Sequence, residues 1–250
     1  MRFHHHLIAA ALALSAAALA GPLAARPADY AKVLADPARV EKNRALDEGR
    51  LPAEMLDFAG VKRGDTVADY QAGGGYYTEL LSRVVGSKGR VYAMTQPNFY
   101  EKPYWDTLVA SHPNVVPLVA PGQALTLAPR SVDVLFTHLV YHDLYWQSDK
   151  YQHPRLDVPQ VLKGWFAAVR PGGHVIVIDH VANPGEVRAT VDKLHRIDPD
   201  QVKADMAAAG FVLEAESGLL RRNMDSRESN VFAPEVRGKT DRFALKFRRP

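Results

Sequence analysis

The stretch V-A-D-Y-Q-A-G-G-G-Y-Y-T-E, Val67 to Glu79, decides how this chain is read. An apolar run ends in Asp69-Tyr70, three glycines follow, and an aromatic pair opens the next segment. From Tyr77 the apolar residues are Leu80, Leu81, Val84 and Val85. That is helical spacing with one buried face. Strand, glycine turn and helix in that order begin a parallel α/β unit. Glycine in such a turn permits positive φ and lets backbone approach a ligand closely. The helix N-terminus beyond it offers free N–H groups.

Working outward, apolar strand-like runs occur at 90–94, 114–119, 132–137, 174–179, 211–217 and 242–247. Helical spacing recurs from Pro52 to Gly60, from Val158 to Val169 and from Asp198 to Gly210. Asp36-Pro37 reads as a cap and first residue of a polar helix running to Arg44. Pro171-Gly172-Gly173 reads as the stop of the 158–169 helix. Residues 97–112 and 143–157 read as long ordered loops that carry substrate contacts. Strands alternating with helices imply a mostly parallel sheet covered on both faces.

The chain has 250 residues, 47% of them hydrophobic and 24% charged, with a formal net charge of +3. That composition suits a globular protein with a sizeable core. Lys and Arg are scattered, which argues against a nucleic-acid surface. There is no cysteine, so thiolate zinc sites and Cys nucleophiles are excluded. Arg2 precedes an uncharged run of Ala and Leu from Leu7 to Ala20, closing on Ala18-Leu19-Ala20. Charge, apolar core and small-x-small site are the order of a secretory signal, here 1–20, with Ala25 the alternative cleavage point. The run is short for a membrane span. The expectation is export to the periplasm without stable membrane insertion, a helical extension at 21–50 and the α/β domain at 51–250.

The glycine turn is not a dinucleotide fingerprint, because Thr78 stands where the third glycine of G-x-G-x-x-G belongs. Gly238-Lys239-Thr240 lacks the first glycine of a phosphate loop, Ala233 being there instead, and it precedes a strand. No G-x-S-x-G is present. The turn does resemble motif I of the class I methyltransferases, D-x-G-x-G-x-G, with Asp69, Gly73 and Gly75 in register. R-P-G-G at 170–173 is similar to the approach to their fifth strand. Y-H-D-L at 141–144, L-H-R-I-D at 194–198, A-G-F-V-L-E-A-E-S at 209–217 and R-G-K-T-D-R-F at 237–243 resemble a family of exported, predicted methyltransferases. The resemblance implies a Rossmann-like class I methyltransferase fold, a seven-stranded mostly parallel sheet with a last antiparallel strand. It implies S-adenosylmethionine (SAM) bound by Asp69, Gln71, Ala72, Gly73, Gly74, Gly75 and Thr78. Gln71 replaces the motif's first glycine. Where acids usually hold ribose and adenine, the chain reads Met94-Thr95-Gln96 and Ala120-Pro121-Gly122, with Thr95, Gln96 or Gln123 as the expected, weaker substitutes.

The fourth strand is followed by His138-Leu-Val-Tyr-His142-Asp143. His142 is the expected general base, with Asp143 orienting its ring. Tyr141, His180 and His195 are expected near a small-molecule substrate. His138 and His142 are four apart, a metal-ligand spacing on a helix, but no Glu completes a zincin motif, and no metal is expected. The implied function is methyl transfer from SAM to a small molecule or exported component. The alternatives are the same fold used as a binding module with a degraded SAM site and no catalysis, or a metal-dependent hydrolase built on the histidine pair.

Overall fold

The computed structural model describes residues 27–124 and 126–250. The signal segment 1–20 and the site at Ala25 lie outside the described residues. Seven strands form one sheet: β1 (Thr66–Tyr70), β2 (Arg90–Thr95), β3 (Val115–Val119), β4 (Val132–His138), β5 (Val169–His180), β6 (Val212–Ser217) and β7 (Arg242–Arg248). Their order is β3-β2-β1-β4-β5-β7-β6. The first five are parallel, and β7 runs antiparallel between β5 and β6. The order reverses between β1 and β4, the switch point where α/β sheets take ligands at the carboxyl ends of their strands.

Both faces are covered. On one, α1 (Pro27–Leu34), α4 (Pro52–Ala59), α5 (Tyr76–Val85) and α6 (Lys102–Ser111) pack with Val67, Phe136 and Ile176. On the other, α7 (Val158–Ala168) and α9 (Pro199–Ala208) pack with Ala68, Tyr70 and Val177. Val67 and Ala68 thus enter opposite cores, as the period of two along a strand requires. α8 (Val187–Leu194) links β5 to α9. Among the described residues no helix is long and apolar enough to cross a membrane.

Three local expectations are corrected. The polar helix from Asp36 to Arg44 is replaced by a turn, in which Asp36 accepts from the Ala38 N–H, and by two four-residue helices, α2 (Glu41–Arg44) and α3 (Asp47–Arg50). Without an apolar stripe this stretch is shaped by polar contacts to α5. The Val40 N–H and Asn43 Nδ2 donate to the two oxygens of Glu79 at 2.9 and 2.7 Å. The Arg39 guanidinium donates twice to Asp47, and Tyr76 Oη donates to the same carboxylate.

The second correction concerns Pro171-Gly172-Gly173, which does not merely stop α7. It lies inside β5, where the register against β4 shifts between Val132 and Val134. A Cβ on Gly173 would lie 2.7 Å from the Asp133 carbonyl oxygen, so the irregularity requires glycine. The third is the loop expected at 97–112, most of which is α6. Its buried stripe is only Trp105 and Leu108, too short to show as a period.

Candidate active site

In the turn after β1, residues 71, 73 and 75 all have positive φ, at 51°, 54° and 71°. Gln71 therefore holds the left-handed conformation that the resembled motif gives to glycine. A side chain there costs on the order of 1–2 kcal/mol. Gln71→Gly is expected to stabilise the ligand-free protein by about 1 kcal/mol in urea unfolding. An unchanged midpoint would mean the side chain holds the turn. Gly75 opens α5, and a Cβ there would lie 3.0 Å from Leu108 of α6. The turn is thus clamped from behind.

A cavity of about 490 Å³ opens at this turn. Asp69, Gln71, Ala72, Gly73 and Gly74 form one side, Asn43 and Arg50 a second, and His138 with Leu139 a third. Gly75 and Thr78 support it from outside. Thr78 Oγ1 donates to Asp69 Oδ2 at 2.6 Å. Burial lifts the Asp69 carboxyl to about 7. Three of the lining residues carry a fully buried side-chain atom with no hydrogen-bond partner among the described residues: Gln71 Nε2, Tyr77 Oη and His138 Nε2. Gln71 approaches the Tyr70 hydroxyl but closes no bond to it. Native proteins leave few such atoms unpaired unless a ligand or water completes them.

The far end of the cleft differs from expectation. Thr95 and Gln96 are buried and line neither this cavity nor the one described below. Gln96 Nε2 donates to His153 Nδ1 at 3.0 Å, and His153 Nε2 donates to the Asp143 carbonyl at 2.9 Å. A Cβ on Gly122 would lie 3.1 Å from Leu156. The segment after Leu144 therefore folds back over the ends of β2 and β3, and engages Gln96, one of the two residues expected to hold ribose. Nothing in the 143–157 composition shows this fold-back, and His153 drew no attention in the sequence.

The residues present fit the amino-acid end of SAM. Asp69 offers a carboxylate for an ammonium group. Arg50 offers a guanidinium for a carboxylate, stacks on the Tyr76 ring at 4.2 Å and forms no ion pair among the described residues. No corresponding acid is built at the adenosine end among the described residues.

His142 opens a short 3₁₀ turn at His142–Leu144. Its Nδ1 donates to Asp179 Oδ1 at 2.8 Å, its backbone N–H donates to Asp179 Oδ2 at 2.8 Å, and the His180 N–H also reaches Asp179. From the sequence Asp143 is expected to orient this ring; the structure gives Nδ1 to Asp179 instead. Asp143 faces the opposite nitrogen, with Oδ1 3.3 Å from Nε2. Burial opposes charge on His142, but Asp179 and Asp143 together outweigh it and raise the ring to about 9. His142 is therefore an imidazolium at neutral pH in the ligand-free protein. Asp179 is the last residue but one of β5, near its carboxyl end, a position whose chemistry was legible but was read only as strand.

Tyr141 is a further correction. It is fully buried against Trp165, and its hydroxyl donates to Asp205; it packs the core and lines neither cavity. His195 caps α8 in a left-handed conformation. Burial, then His142, lowers it to about 4. His138 and His142 do not form a pair. The ligand atoms that converge within 4.8 Å belong to His142, Asp143 and His195, a His-His-Asp set with the chemistry to hold a divalent ion. These three line neither cavity.

A second cavity, of about 740 Å³, shares Leu46, Arg50 and Leu139 with the first. His180 lines it, with its Nδ1 hydrogen-bonded to Thr240 Oγ1 at 2.7 Å. Burial holds the His180 ring well below its usual range, hence neutral.

Sheet order, switch-point turn and antiparallel β7 together define the class I SAM-dependent methyltransferase fold. The chain is similar over 90% of its length to a SAM-dependent methyltransferase from Aquifex aeolicus, covering 99% of that chain at 20% identity and a TM-score of 0.56. It resembles a SAM-dependent methyltransferase from Mesorhizobium loti at 16% identity, covering 82% of this chain and 100% of that one, with a TM-score of 0.56. It also resembles the geranyl diphosphate C-methyltransferase of Streptomyces coelicolor A3(2), at 14% identity over 92% of this chain and 90% of that one, with a TM-score of 0.57. No protein-family model and no curated sequence matches the chain.

Proposed function

We propose that this chain is a SAM-dependent methyltransferase acting on a small molecule. A left-handed glycine turn at the switch point, opening on a cavity that Asp69 and Arg50 line, carries the reading. SAM, when bound, supplies a sulfonium-activated methyl group, so the protein has mainly to position the acceptor and take its proton. Asp69 and Arg50 hold the amino-acid end, with the backbone of Gly73 and Gly74 beside them. Two neutral imidazoles line the cavities, His138 on the first and His180 on the second, both held well below the usual histidine range by burial. His142 and Asp143, the pair expected from the sequence to be catalytic, support them: the charged ring of His142 braces Asp179, which in turn holds the His180 backbone. The signal-like order of residues 1–20 supports a periplasmic site of action.

Calorimetry of the full chain with SAM and S-adenosylhomocysteine tests the reading. Micromolar binding, weakened at least about tenfold in Asp69→Asn, is the expected result. The binding-module alternative is favoured by one observation, the Gln96–His153 contact that closes the adenosine end. Absence of affinity for either compound at millimolar concentration would overturn the methyl-transfer reading.

A further inference from the structure

The second cavity has a feature that methyl transfer does not require. Five cationic side chains line it: Arg50, Arg222, Arg237, Lys239 and Arg242. The single acid on its wall, among the described residues, is Glu48. None of the five forms an ion pair among the described residues, although Arg221 and Arg227, from the same connection between β6 and β7, are both paired to Asp241. Arg222, Arg237 and Lys239 are exposed on the rim, Arg50 is half-buried, and Arg242 is buried.

Arg242 is the informative member. Its Nε donates to Thr240 Oγ1 and its Nη1 to the Gly49 carbonyl, at 3.1 and 2.9 Å. Both partners are neutral. A buried guanidinium without an anion is costly, and a second cation beside it adds to the cost. Burial, then Arg50, lowers Arg242 to about 10. Tyr77 and Asp179 oppose that shift only in part, and no acid pairs with Arg242 directly among the described residues, so its charge is open to an anion entering the cavity. Guanidinium groups suit planar or tetrahedral oxyanions, which they bind through paired N–H donors.

We propose that this cavity binds the oxyanion group, phosphate or carboxylate, of the protein's small-molecule substrate. Arg242 is the inner contact, and Arg222, Arg237 and Lys239 are the outer ones. Leu139, Val231 and Phe232 supply an apolar wall for the body of the molecule. The shared wall at Leu46, Arg50 and Leu139 sets that body beside the glycine-turn cavity. Calling the ligand a substrate rests on the methyltransferase reading; the anion site does not.

The test therefore omits SAM. Sodium pyrophosphate and sodium citrate are titrated into the full chain by calorimetry, against sodium chloride at matched ionic strength. One anion per chain is expected to bind below millimolar. In the double variant Arg237→Gln/Lys239→Gln, whose exposed positions leave the fold intact, binding should weaken roughly ten- to a hundredfold. Arg242→Gln should abolish it; should that variant fail to fold, the rim variant decides. Tighter pyrophosphate assigns a phosphate ester, tighter citrate a carboxylate. Binding no better than chloride, or equally tight in the rim variant, overturns the proposal. A chain that binds pyrophosphate but not SAM would keep the anion site and lose the methyltransferase reading.

Discussion

Replacing Asp69 by asparagine is expected to stabilise the ligand-free protein at pH 8 while impairing its site. The Asp69 carboxyl sits at about 7 because of burial, against an ordinary value of 3.8. Between these values the folded protein holds a proton that the unfolded chain has released. Stability therefore falls as pH rises from about 4 to 7 and is level above that window. About three pKa units correspond to at most roughly 4 kcal/mol, net of the Thr78 hydroxyl, which favours the ion. The asparagine side chain carries no proton to lose, so the variant's gain at pH 8 should be on the order of 2–4 kcal/mol. Urea unfolding at pH 5 and pH 8 measures both proteins. An equal pH slope in wild type and variant would show that Asp69 is not the titrating group. An ammonium ligand reverses the sign, since it is attracted only to the ionised carboxylate. Stability withheld from the free protein is thus returned on binding.

The second large effect centres on Asp179. It accepts from the His142 ring and from the backbone N–H groups of both His142 and His180. Asp179→Ala leaves a buried imidazole and two amides without their acceptor, and should cost about 3–5 kcal/mol. Asp179→Asn keeps the shape and loses the charge, so it should cost less and change the pH dependence. His142 is raised from 6.5 to about 9. A raised histidine contributes stability that is complete below about 6.5 and is lost as pH rises through 9. That decline should be present in wild type and flattened in Asp179→Asn. It lies above the Asp69 window, so one pH series of denaturation midpoints separates the two. A decline of unchanged size in Asp179→Asn would show that the ring is charged for another reason, with Asp143 as the remaining acid.

Much of the fold was legible because its signals are local. The period in Tyr77 to Val85 and the unbroken apolar run at 175–178 need no partner to be read. Asp69, Gln71 and the glycines were legible for the same reason, since a turn after a strand announces its own geometry. What could not be read were approaches between distant segments. Gln96 has a plausible position for a ribose contact, and only the return of His153 from 57 residues away removes it. His142 looked like a base with Asp143 at its side. Asp179, from another strand, makes it a cation. The short helices α2 and α3 escaped because Glu79 and Asp47, rather than an apolar stripe, hold the 39–50 stretch in place.

That stretch also has a thermodynamic consequence. Leu46 and Arg50 belong to both cavity walls at once. An occupant that shifts this shared wall in one cavity changes a boundary of the other, and the two occupants are then linked, each altering the affinity of its neighbour by the same factor. Titrating each compound with and without the other should give one common ratio of dissociation constants, whichever is added first.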